Sequence, residues 1–144
     1  MKKGKDYIGI AVSFICHDGK GNYLFSKRST NCRDEHGTWD LGGGSLEIGQ
    51  TVEASFKKEL KEEYGVEPIE HKFLGYLDVF RNMDGADTHW VSLEFLVLVD
   101  PQKVINGEPH KFDELKWFRL DNLPTPLHSA MPLIFEKFKD KLPQ

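Results

Sequence analysis

Three carboxylates crowd the short stretch "FKKELKEEYGV", Phe56 to Val66. On a helix, at roughly 100° per residue, Glu59, Glu62 and Glu63 share one sector. Lys57, Lys58 and Lys61 fall on the far side, and Val52, Phe56, Leu60 and Tyr64 form an apolar stripe suited to packing on a sheet. Like charges at these spacings cost a helix about 0.2–0.5 kcal/mol per pair. Most charged runs of this kind are solvated helix faces. Glu63, however, borders the apolar stripe, where an unpaired carboxylate is costly to bury. A divalent cation would resolve that conflict. Carboxylate clusters suit hard ions such as Mg²⁺ or Mn²⁺, and Mg²⁺ favours a few carboxylates together with substrate phosphates.

The helix that carries these groups has readable ends. Thr51 is a plausible N-cap, and Gly65 follows Tyr64 as a C-terminal stop. Upstream, "YIGIAVSFIC" (7–16) and "YLFSKR" (23–28) read as strands joined by the turn "HDGKGN". Between them and the helix lies "WDLGGGSLEIG", whose three consecutive glycines permit backbone shapes closed to other residues. Downstream, "HKFLGYLDVF" and "THWVSLEFLVLV" are long strand candidates, and a polar loop over 100–113 leads to the short strand "LKWFRL". The tail has helical periodicity at Leu133, Ile134, Phe135, Phe138 and Leu142, with Pro132 suited to a first turn. The elements make a mixed sheet with at least two helices, an α/β chain read as one domain over 1–144.

Composition narrows the classes. With 39% apolar and 12% aromatic residues, the 144-residue chain can build one hydrophobic core. A formal charge of −4 argues against a general electrostatic grip on a nucleic-acid polymer or an anionic membrane. No apolar run approaches the roughly 18–20 residues that span a bilayer. Cys16 and Cys32 have no CxxC spacing, which favours reduced thiols in a cytoplasmic protein. The six histidines show no zinc-ligand spacing.

Taken with what precedes it, "GSLEIGQTVEASFKKELKEEYGV" (44–66) resembles the signature of the Nudix hydrolase family, the MutT-like nucleoside diphosphate-X pyrophosphohydrolases. That signature runs Gly-x5-Glu-x7-Arg-Glu-aliphatic-x-Glu-Glu-x-Gly-aliphatic. Gly44, Glu59, Leu60, Glu62, Glu63, Gly65 and Val66 fall in register, and Trp39, Gly43, Val52 and Ala54 fit the usual surroundings. Two positions depart: Gln50 stands where the family has Glu, and Lys58 where it has Arg. In the family those two support the loop–helix geometry, commonly by pairing. A Lys–Gln contact offers one weaker hydrogen bond in place of a bidentate pair.

The resemblance implies the Nudix fold, a mixed β-sheet sandwiched between α-helices, and Mg²⁺-dependent (or Mn²⁺-dependent) hydrolysis of a pyrophosphate bond. Glu59 and Glu63 match metal ligands, Glu62 a further ligand or water-linked base, and the Gly43 carbonyl a completing ligand. Gly44, Gln50 and Lys58 are box support. Arg28 resembles the family's substrate-facing arginine, and Lys27 should point the other way. A catalytic base is expected from Glu108, Asp113 or Glu114, with Glu114 preferred. The chain lacks the proline that ADP-ribose hydrolases of the family often carry downstream of the box, which tilts the expectation toward a nucleoside triphosphate cut to monophosphate and pyrophosphate. Nucleotide sugars, ADP-ribose and a weakened nucleotide-sensing domain stay open. A homodimer is expected from the family's habit. Glu94, a carboxylate in mid-strand, faces either the cleft or a dimer surface.

Overall fold

The computed structural model describes residues 1–144, the side chain of Met83 excepted. β1 (Gly9–His17), β2 (Asn22–Arg28), β3 (Trp39–Asp40) and β4 (Gly42–Ser45) precede α1 (Val52–Tyr64). β5 (Glu70–Met83), β6 (Ala86–Leu98), β7 (Phe112–Arg119) and α2 (Met131–Phe138) follow. All seven strands join one mixed sheet, in which only β1 and β6 run parallel, along the whole of β1. β1 and β2 touch at His17 and Tyr23 and then diverge. The bent segment β3–β4 fills the wedge, pairing first with β2 and then with β1. β7 covers the outer edge of β2, and β5 continues the sheet beyond β6.

Strand alternation builds two cores from one sheet. Val12, Phe14 and Cys16 of β1, Leu24 of β2, and Phe95 and Val97 of β6 pack under α1. Ile15, Tyr23, Phe25 and Leu96 turn to the other face, under Met131, Ile134 and Phe138 of α2. The sheet is thus sandwiched between helices, as the resemblance implied. Leu142 also enters the second core, whereas Leu133 stays half exposed on the outer side of α2.

The stripe of α1 seats as its periodicity predicts. Phe56 stacks on Phe95 with ring centroids 4.4 Å apart, and Tyr64 meets Phe14 edge-on at 5.6 Å. Burying Phe56 and Leu60 stabilises the fold by about 1.5–3 kcal/mol each. That exceeds the repulsion of the glutamate pairs, so packing dictates the helix and the carboxylates are carried with it. Thr51 Oγ1 accepts the Ala54 N–H at 3.1 Å, and Gly65, at φ 70°, donates to the Lys61 carbonyl.

The three glycines at 42–44 differ from their expected use. They lie in extended β4, not in a left-handed turn. Space is what they supply: a Cβ on Gly42 would enter the Phe14 ring, and one on Gly43 would lie 2.4 Å from the Val12 carbonyl oxygen. Trp39 packs, meeting Phe118 edge-on at 5.2 Å. Both cysteines are free, and among the described residues no helix is long and apolar enough to cross a membrane.

Candidate active site

Glu63 projects from the last turn of α1 toward β4 and is 2% exposed. Its Oε2 accepts the Gly43 N–H at 3.1 Å. Burial pushes its carboxyl well above the ordinary range, against the lowering influence of Lys111 and of the Gly43 N–H. One turn earlier, Glu59 lies over Gly44 so closely that a Cβ there would sit 2.5 Å from its carboxyl carbon. Burial and then the charge of Glu62 raise Glu59. Glu62 is about half exposed on the solvent side of the same sector.

The loop after β6 docks onto the end of this helix. Ile105 N–H donates to the Tyr64 carbonyl and Gly107 N–H to the Glu63 carbonyl, at 3.0 and 2.9 Å. Gly107 is needed for that approach, because a Cβ would fall 2.1 Å from the Glu62 carbonyl oxygen. The docking delivers Glu108 and Lys111, which pair at 3.3 Å, beside Glu59 and Glu63. Burial alone would lower the Lys111 ammonium, but Glu63 and Glu108 carry it above its ordinary value. Glu108 therefore is the loop carboxylate next to the glutamates. Glu114 sits exposed on β7 opposite Lys27, and Asp113 is also exposed; none of the three loop carboxylates lines the cavity itself.

Gln50 and Lys58 take separate partners. Gln50 Oε1 accepts the Glu47 N–H at 3.1 Å and closes the loop before α1, while Lys58 reaches Glu62 at 3.9 Å. The loop is fixed from outside as well, by Lys3, whose ammonium meets Glu47 at 2.6 Å and Ser45 Oγ at 3.1 Å.

From Glu63 a cavity of about 620 Å³ runs across β4 and β1 to the sheet face beside α2. Arg28 lines it, with Nε donating to the Asp34 carbonyl at 3.0 Å and its terminal nitrogens to Asp34 Oδ1 and Asp40 Oδ2 at 3.1 and 3.3 Å. Arg81 of β5 bonds Asp34 and Glu35 at 3.0 and 2.7 Å, and His128 meets Glu35 at 2.9 Å. Glu94, fully buried, also faces this cavity rather than an outer surface.

A family model described as NUDIX domain matches residues 8–138. The chain belongs to the Nudix family. A relative named ADP-ribose pyrophosphatase, from Methanocaldococcus jannaschii, is 35% identical over 131 residues, covering 86% of this chain and 70% of that protein. Nucleoside triphosphatase NudI of an Enterobacter species is 27% identical over 121 residues, covering 80% of this chain and 86% of that one. Among solved structures, a MutT NUDIX hydrolase from Burkholderia pseudomallei superposes with a TM-score of 0.81 at 27% identity, covering 92% of this chain and 98% of that one. This Nudix protein is a pyrophosphohydrolase, and Nudix hydrolases generally use divalent metals.

Two acidic groups of this Nudix hydrolase compare as metal sites. Asp34, Glu35 and His128 bring one ligand atom each within 4.8 Å of one another. Their oxygens already hold the guanidinium groups of Arg28 and Arg81, so positive charge is supplied there. Glu59, Glu62, Glu63 and Glu108 offer hard oxygen donors with Lys111 as the cation beside them, beneath glycines that leave room for close approach. Among the described residues only Asp34, Glu35 and His128 draw three such ligand atoms within 4.8 Å of one another, so the glutamates share the oxygen chemistry of a Mg²⁺ or Mn²⁺ site without converging that closely. Sequence reasoning missed Lys111 and Arg81. Both reach the site through long-range pairing of loop and strand, which no local spacing signals.

Proposed function

We propose that this enzyme hydrolyses a nucleoside triphosphate to the monophosphate and pyrophosphate, with Mg²⁺ held by Glu59, Glu62, Glu63 and the Gly43 carbonyl. The observation that carries the reading is the buried Glu63, fixed on the Gly43 N–H at one end of a nucleotide-sized cavity. When held by these residues, a divalent cation would supply charge to the pyrophosphate oxygens and acidity to a water. The chain's own groups do the rest. Glu108, beside the same carboxylates, is placed to accept a proton from water, a role for which its position is better than that of Glu114. Arg28 keeps N–H donors beyond those bound to Asp34 and Asp40, and these suit phosphate oxygens. Arg33 at the mouth and Lys111 add positive charge that a triphosphate uses more fully than a diphosphate ester.

A second reading, ADP-ribose as substrate, is favoured by the relative of that activity at 35% identity. A panel of nucleoside triphosphates, ADP-ribose and nucleotide sugars, assayed with Mg²⁺ for pyrophosphate and for monophosphate release, separates the two. Pyrophosphate from a triphosphate supports the first; turnover confined to ADP-ribose supports the second. Glu63→Gln should lower the rate by about a hundredfold or more, the scale of losing a key electrostatic stabiliser. An unchanged rate would move the metal away from α1. Dimerisation belongs to the same reading: the β5 edge leaves Tyr76 and Phe80 exposed, and light scattering against the monomer mass of 16.5 kDa tests it.

A further inference from the structure

Glu94 is a carboxylate without an evident job in phosphate chemistry. It is fully buried in mid-β6, and Ser92 Oγ donates to its Oε1 at 2.7 Å. Its Oε2 is buried with no hydrogen-bond partner. A buried orphan acceptor costs about 1–3 kcal/mol, and one kept beside a cavity calls for a partner that a bound ligand would supply.

The sheet register locates this acceptor relative to the carboxylate end of the cavity. Gly43 of β4 pairs with Ser13 of β1, and Ser13 pairs with Glu94 of β6, so the three stand in one row. Neighbouring strands lie about 4.8 Å apart, which sets Glu94 roughly 10 Å from the Gly43 backbone. That separation matches the distance from a bound phosphate across a ribose to a base. The cavity that Glu94 lines is also walled by Val79, Trp90, Met131 and Ile134, apolar surfaces suited to a flat ring, with Ser13, Ser92 and Asp40 among its polar lining.

We propose that Glu94 reads the nucleobase of the substrate, its Oε2 accepting a hydrogen bond from an exocyclic amino group. The assignment rests on the nucleotide-hydrolase reading above. With the Ser92 hydroxyl donating to Oε1, the ionised carboxylate keeps Oε2 as an unfilled acceptor beside the cavity, and an amino group bound there would favour that ionised form. Amino-bearing bases satisfy it. Bases presenting a carbonyl oxygen at the same edge set acceptor against acceptor, and a site built to pair a donor rejects the analogue lacking it.

The test uses pairs of nucleosides in which an amino group is replaced by a carbonyl: cytidine against uridine and adenosine against inosine. Monophosphates are titrated in a metal-free binding assay, and kcat and KM are measured for the triphosphates with Mg²⁺. Wild type should favour the amino-bearing member of at least one pair by about tenfold or more, and Glu94→Leu should bring that ratio to within about threefold. The preference should reside in KM and monophosphate affinity, with kcat on the disfavoured member nearly unchanged. If the leucine variant does not fold, Glu94→Gln replaces it. Its amide can donate, so the ratio should shift toward the carbonyl-bearing bases.

A wild type without base preference, or one preferring uridine or inosine, overturns the proposal. So does a Glu94 variant that loses kcat equally on every base while the ratio stays fixed, because that marks a role in chemistry or folding. Monophosphate selectivity that depends on Glu94, in a protein that hydrolyses no triphosphate, would sink the proposed activity and leave the base-reading role standing.

Discussion

At the scale of single residues, the site is defined by what does not fit. Gly44 has space for no Cβ unless the Glu59 carboxylate moves aside. That carboxylate is the far end of a flexible side chain, so Gly44→Ala should cost little stability while displacing the proposed metal ligand Glu59. The expected outcome is a melting temperature close to wild type with Mg²⁺ affinity weakened by about tenfold, the scale of a disturbed ligand shell, measured by calorimetric titration. Glu94 gives a second outcome at this scale. Burial, and then the charge of Asp40, hold its carboxyl above the usual value of 4.5 despite the hydroxyl of Ser92, which donates to Oε1, and that of Ser13, which lies outside hydrogen-bond geometry. A raised native pKa means the folded state binds the proton more tightly than the unfolded chain does. Its destabilising effect is therefore absent below about pH 4.5 and grows as pH rises through the native value. Glu94→Gln should match wild type in thermal stability at pH 4 and exceed it at pH 8. Equal gains at both values would point to packing instead of charge.

Elements decide which of these residues meet. The carboxylate sector of α1 was legible in the sequence because a helix repeats within a few positions, so Glu59, Glu62 and Glu63 could be placed beside the stripe of Phe56, Leu60 and Tyr64. The loop over 100–113 was not legible in the same way. Nothing near Glu108 or Glu114 in sequence says which of them returns to α1; the choice is made by Gly107 and Ile105 bonding to the carbonyls of Glu63 and Tyr64. Glu94 could be assigned to a face by alternation, but which face holds the cavity depends on the pairing of β6 with β1. Gly107→Ala tests the loop's part. The clash with the Glu62 carbonyl is with backbone, which cannot step aside, so the loop must lift. Stability should fall by about 1–3 kcal/mol, with Glu108 and Lys111 withdrawn from the glutamates. A chemical denaturation midpoint that does not change would show that the docking contributes nothing.

Across the whole molecule, the proposed metal site on the α1 glutamates would couple cation binding to stability. A ligand that binds only the folded state adds about 2.7 kcal/mol at a hundredfold excess over its Kd. For a chain of this size that corresponds to a rise of roughly 5–10 °C in melting temperature. Mg²⁺ or Mn²⁺ should produce such a rise in wild type, and Glu63→Gln should remove it. A variant that retains the full shift would place the cation elsewhere, with Asp34, Glu35 and His128 as the group to examine next.

The parallel pairing of β1 with β6 has one more consequence, for how the chain acquires its activity. Residues 9–17 cannot gain that neighbour until residues 86–98 are available, so the contact spans most of the sequence. The β5–β6 hairpin, by contrast, is local and paired through most of its length. Long-range closures of this kind are slow because loop entropy is lost before contacts repay it. Ser13 and Glu94 face each other across that same pairing. During synthesis, the wall of the cavity therefore depends on a contact that spans most of the chain, and a chain halted before residue 90 carries β1 without its parallel neighbour.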